Sequence, residues 1–87
     1  MKRKRTERRM YMKYAYLPKY QDLGFAVVRA RKLKGMTQQD LADAMNVSYE
    51  TISRIENANT GISSDMLFAL SEALETPLYE LFRYANI

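Results

Sequence analysis

The sequence predicts an all-α fold, a compact five-helix domain behind a basic N-terminal arm. Three observations support this. Apolar residues recur at three- and four-residue spacing from about Asp22 to the C-terminus, side chains able to cap a helix stand before each such run, and no alternating strand pattern of any length follows Pro18. Residues 1 to 20 are read as the arm and residues 21 to 87 as the folded domain.

The arm opens on MKRKRTERRM, which is too charged to bury anything and is expected to order only against a partner. Residues 11 to 17, YMKYAYL, suit a short strand, a helical turn or an extended segment, and Pro18 is expected to cut them off from the residues after it. The first helix is predicted from Asp22 to Lys34. Asp22 would cap it, Leu23, Ala26, Val27 and Ala30 would face inward, and Gly35 would end it in a left-handed conformation. Met36 would then plug the core. Thr37 can cap a second helix over Gln38 to Met45, with Asp40 facing its open N–H groups and Leu41, Ala42 and Met45 as its buried stripe. Asn46 stands at the break, where asparagine tolerates the left-handed backbone a turn needs.

Ser48 caps a third helix over Tyr49 to Asn57. Ile52 and Ile55 are its inner face, and Tyr49, Glu50, Thr51, Ser53 and Arg54 lie mostly outside. After a polar loop, a fourth helix is predicted from Ser63 or Ser64 to Leu74, with Asp65 near its positive end. Thr76 as cap and Pro77 as first helical residue would start the last helix, whose apolar face is Leu78, Leu81 and Phe82.

Composition narrows the function. Eighty-seven residues allow one domain, and a chain of this size buries roughly 60% of its unfolded surface, so dimerisation is expected. The chain has no cysteine and no histidine, which removes disulfides, thiol nucleophiles, most zinc sites and the commonest general base. No nucleophile is paired with a base and no glycine loop could cradle phosphate, so neither an enzyme, a metal site nor a cofactor is expected. No apolar run is long enough to span a bilayer and no secretion signal is present, which predicts a cytoplasmic protein with no membrane partner. The net charge of +4 is unevenly spread: residues 1 to 20 carry eight Lys or Arg against Glu7, whereas the remainder carry six against nine carboxylates. A polyanion would therefore meet most of its positive charge in the arm.

Two short amphipathic helices joined by a tight turn, the second with an outward face of hydrogen-bonding side chains, form the layout of a DNA-reading helix-turn-helix. In that motif the start of the second helix reaches base edges in the major groove, which selects Tyr49, Glu50, Thr51 and Arg54. Arg54 can grip guanine O6 and N7, Glu50 can accept from cytosine N4, and the Thr51 methyl can meet a thymine methyl. The alternative for Glu50 and Arg54 is a solvated salt bridge between neighbours. Gln38 and Gln39 open the second helix, whose N-terminal N–H groups can hold a backbone phosphate. Lys2, Arg3, Lys4 and Arg5, with Arg8 and Arg9, suit phosphates or the minor groove.

The stretch TQQDLADAMNVSYETISRIEN, residues 37 to 57, resembles the helix-turn-helix of the phage repressor and Cro (XRE-like) family of bacterial transcriptional regulators. The likeness covers about Asp22 to Phe82 and has two departures. Asn46 replaces the usual turn glycine, and the loop NANTGIS at residues 57 to 63 lacks the cation that relatives often set against phosphate. The resemblance implies a lambda-repressor-like fold and a regulator, by expectation a repressor, binding a palindromic operator in double-stranded DNA as a homodimer. It implies phosphate contacts at Gln38 and Asn57, a structural ion pair between Arg31 and Glu56, and dimer contacts from the last helix and C-terminus through Leu78, Phe82, Tyr84 and Ile87. The rival readings are an antitoxin-type protein or adaptor whose main task is to bind a protein partner.

Overall fold

The computed structural model describes residues 14–87. Five α-helices come after one 3-10 turn: Tyr14–Tyr16, then α1 (Leu17–Leu33), α2 (Gln38–Met45), α3 (Tyr49–Glu56), α4 (Ser64–Leu74) and α5 (Leu78–Ala85). Arm residues Lys2, Arg3, Lys4, Arg5, Arg8 and Arg9, and the tyrosine and lysine before Tyr14, lie outside the described residues. The core is a single cluster in which Val27 and Ala30 of α1, Leu41 and Ala42 of α2, Ile52 and Ile55 of α3, Leu70 and Leu74 of α4 and Leu81 of α5 are all buried. Each helix thus turns its 3.6-period apolar stripe to a common centre.

The local signals of the helix-turn-helix are realised atom by atom. The Thr37 hydroxyl accepts from the Asp40 N–H at 3.0 Å, and the Asp40 carboxylate accepts from the Thr37 N–H at 2.9 Å, a reciprocal capping box. Those bonds hold the Asp40 carboxyl below its ordinary range, the backbone N–H of Thr37 being the larger cause. Asn46 closes α2 in the left-handed region at φ 57°, and the Val47 N–H returns to the Ala42 carbonyl at 3.0 Å. Ser48 then caps α3 by accepting from the Thr51 N–H at 3.1 Å. Gly35, at φ 70°, ends α1 as expected, and the Met36 N–H closes back on the Arg31 carbonyl at 3.0 Å.

Two sequence expectations are corrected. Helix α1 starts at Leu17 rather than Asp22, with Pro18 inside its first turn. Proline is tolerated there because the N–H it lacks would have no intrahelical acceptor, so Pro18 begins the helix instead of severing the segment before it. At the other end Thr76 does not cap α5. Its hydroxyl donates to the Leu74 carbonyl at 2.9 Å, sealing the end of α4, and Pro77 occupies the cap position of α5.

Candidate nucleic-acid interface

Helix α3 is fixed from one side and open on the other. Ile52 and Ile55 are buried, whereas Tyr49, Glu50 and Arg54 are exposed and Thr51 is half-buried. Three neighbours set its orientation. Gly24 of α1 approaches so closely that a Cβ there would stand 2.6 Å from the Glu56 carbonyl oxygen and 3.0 Å from that of Ile55. Arg31 holds the Glu56 carboxylate with two bonds, Nε to Oε2 at 2.8 Å and Nη2 to Oε1 at 3.1 Å, and donates Nη1 to the Met36 carbonyl at 2.9 Å. From α2, the Gln38 amide donates to Glu56 Oε1 at 2.8 Å. One carboxylate therefore ties the end of α3 to α1 and α2 together. Among the described residues no buried side-chain polar atom is left without a partner, the condition under which a buried ion pair specifies geometry without an orphaned charge.

The outer side chains are held loosely. Arg54 Nη2 lies 3.6 Å from Glu50 Oε2 one turn earlier, with both side chains more than half exposed. Such a pair contributes little in water, which leaves both groups free to exchange partners. The Thr51 hydroxyl lies 2.9 Å from the Ser48 hydroxyl, so the hydrogen-bonding end of this side chain is engaged in the cap. The Gln39 amide donates to Asp43 at 2.9 Å along α2, and the Asn57 amide donates back to the Ser53 carbonyl at 2.9 Å. Tyr49 makes no side-chain hydrogen bond with the described residues and is half exposed.

The structure also adds residues that sequence reasoning missed. Thr60, Gly61, Ser63 and Met66 line a shallow depression together with Thr51, Arg54 and Ile55. In the sequence this loop stands out for its missing cations; its hydroxyls are the signal that could have found it. Two of the four residues expected at a dimer contact line one groove. Phe82 and Ile87 line an apolar groove with Tyr16, Tyr20, Leu23, Ile62 and Leu67, Leu78 packs on the core, and Tyr84 sits apart from the groove under the guanidinium of Arg29.

A capped, tightly turned helix pair whose second member is anchored inside and polar outside defines a domain of the helix-turn-helix class. The helix-turn-helix family profile matches residues 27–81, and the chain belongs to that family. It is 41% identical over 65 residues to a competence pilus inhibition repressor of Acinetobacter baylyi, an alignment covering 75% of this chain. The chain spans only 59% of the length of that relative. Among solved structures it is similar to the clp gene regulator ClgR of Corynebacterium glutamicum, with TM-score 0.75 and 29% identity over 78% of this chain and 88% of that one. It is also similar to the restriction-modification controller protein C.Esp1396I, solved as a tetramer with its natural 35 base-pair operator (TM-score 0.70, 27% identity, 79% and 96% covered). Among the described residues no helix is long and apolar enough to cross a membrane.

Proposed function

We propose that this protein is a transcriptional repressor that binds an approximately palindromic operator as a homodimer, each copy placing α3 in the major groove. The observation that carries the reading is the two-sidedness of α3: locked through Glu56, Ile52 and Ile55, yet uncovered at Tyr49, Glu50 and Arg54. In this assignment Arg54 and Glu50 trade their mutual contact for base edges, the Thr51 methyl meets a thymine methyl, and Tyr49 packs beside them. Gln38, Gln39 and Asn57 approach phosphates, as do Lys2, Arg3, Lys4 and Arg5 of the arm. Gln38 has the double task of meeting the duplex and holding Glu56.

Two copies would meet through the groove of Phe82 and Ile87, an isologous contact that sets two copies of α3 about 34–36 Å apart, one turn of the duplex. The operator complex of the controller protein and the repressor relative favour this reading. Repression is then occupancy, carried out in the cytoplasm without a chemical step. The test is selection of sites from random duplex DNA, using the full chain and a full-length variant with Lys2, Arg3, Lys4 and Arg5 replaced by glutamine. A palindromic consensus is expected from both, with uniformly weaker binding by the variant and a logarithmic salt slope flatter by about 3 to 4. A consensus without two-fold symmetry would overturn the dimer, and one that changes with the variant would show that the arm reads bases.

A further inference from the structure

We propose that the outer face of α1 and the adjoining edge of α5 form a docking surface for an acidic, apolar helical segment of a second protein. Phe25, Arg29 and Leu33 succeed one another at four-residue spacing on α1, which places them in one row. Phe25 is 71% exposed and Leu33 64%, and Tyr79 of α5, which lines the same depression as Leu33 and Tyr84, is 73% exposed. Large apolar side chains exposed singly are ordinary; Phe25 and Leu33 on either side of Arg29 in one row, with Tyr79 of a second helix beside Leu33, make a mixed apolar and cationic surface suited to an interaction. The Arg29 guanidinium lies 5.0 Å from the ring centroid of Tyr84, and that of Arg83 lies 5.6 Å from the same ring. Both cations are thereby positioned on the surface by an aromatic ring.

Charge selects the occupant. Five of the six basic residues after position 20 belong to α1, its C-cap or α5; Arg31 is buried against Glu56, which leaves Arg29, Lys32, Lys34 and Arg83 on the outside of a domain that is acidic as a whole. Arg83 and Lys34 are paired with Glu80 and Glu75, so the cations that select an acidic occupant are Arg29 and Lys32, against Asp22 as the one carboxylate of α1 itself. Arg29 has no carboxylate partner among the described residues. A second copy docked face to face would oppose Arg29 with Arg29, a like-charge contact that disfavours self-association here. A nucleic-acid backbone would satisfy the cations but leave Phe25 and Leu33 against phosphate. A helix with carboxylates flanking Leu or Phe satisfies both. The row is also turned away from Gly24 and Arg31, the α1 residues that meet α3, so such a partner and a duplex can be bound together.

The test is selection of short random peptides displayed against the full chain, followed by fluorescence anisotropy of the strongest peptide with a Phe25→Ser, Arg29→Glu variant. Enriched peptides are expected to combine Asp or Glu with Leu or Phe at helical spacing, to lose about tenfold or more in affinity to the variant, and to weaken as salt rises. Because both residues are exposed, the variant should melt close to the unmodified protein. Independently, amide shift changes in the unmodified protein on adding the peptide should map to α1 and α5. The proposal is overturned by no enrichment, by peptides without acidic excess, by shifts that map elsewhere, or by unchanged affinity in a folded variant. Conversion of a dimer to a monomer by the same variant would assign the face to a second copy and also overturn it.

Discussion

Two arginine–glutamate pairs involve helix α3, one tying it to α1 and one along its outer face, and they are opposites. Arg31–Glu56 is bidentate, with side chains 10% and 4% exposed, and shares its carboxylate with Gln38; Glu50–Arg54 spans 3.6 Å with side chains 72% and 59% exposed. The same chemistry thus performs two tasks according to its environment. Buried, an ion pair cannot lose a partner without stranding the other charge, so it fixes where the helix stands. Exposed, the pair is weak enough to be replaced by base edges, so it suits a reading surface.

The strongest way to break this contrast is Glu56→Ala. It leaves the Arg31 guanidinium and the Gln38 amide unmatched and should cost about 3–5 kcal/mol in denaturant unfolding. A loss under about 1 kcal/mol would show that the buried pair does not hold α3. Gly24→Ala attacks the same anchor through backbone: the added methyl meets the Glu56 carbonyl, α1 and α3 must move apart, and about 1–3 kcal/mol should be lost. Arg54→Ala should instead change stability by less than about 1 kcal/mol while relaxing preference at one base pair by about 1–3 kcal/mol, read from competition binding on single-substitution operators. Equal weakening on every sequence would move Arg54 to the phosphate class.

The smallest effect expected is in acid, at the cap of α2. The Asp40 carboxyl is held below its ordinary value by Thr37, so its contribution is present at neutral pH and is lost as pH falls from about 4 through the lower folded value. Asp40→Asn should therefore melt at a slightly lower temperature than the unmodified chain at pH 7, and the gap should close in more acidic buffer. A gap that stays constant with pH would mean that the charge plays no part.

Legible in the sequence were the features that depend on near neighbours. Thr37 with Asp40, Asn46 at the turn and Ser48 before α3 each interact within five residues, and the inward set from Val27 to Leu81 obeys the helical period. Gly24 was invisible because nothing around it reveals a backbone more than thirty positions away. The start of α1 was misplaced because Pro18 serves equally as a breaker and as a first-turn residue, and only packing of the whole helix decides which. Thr76 was misassigned for a related reason: its hydroxyl had two carbonyl-rich helix ends within reach and took the earlier one. At the candidate interface, helical spacing placed Glu50 and Arg54 outside correctly, whereas the bond from Gln38 to Glu56 joins residues eighteen apart and required the fold.

The left-handed joint between α2 and α3 is asparagine, not glycine, and this sets how far the two helices can swing. Glycine enters several backbone basins at similar energy, including mirror-image ones closed to any residue with a Cβ. Asn46 reaches its φ of 57° but finds few other basins nearby. The joint is torsionally narrow, so in the proposed complex α2 and α3 would meet the double helix as one stiff jaw, with little orientational freedom left to be lost on docking.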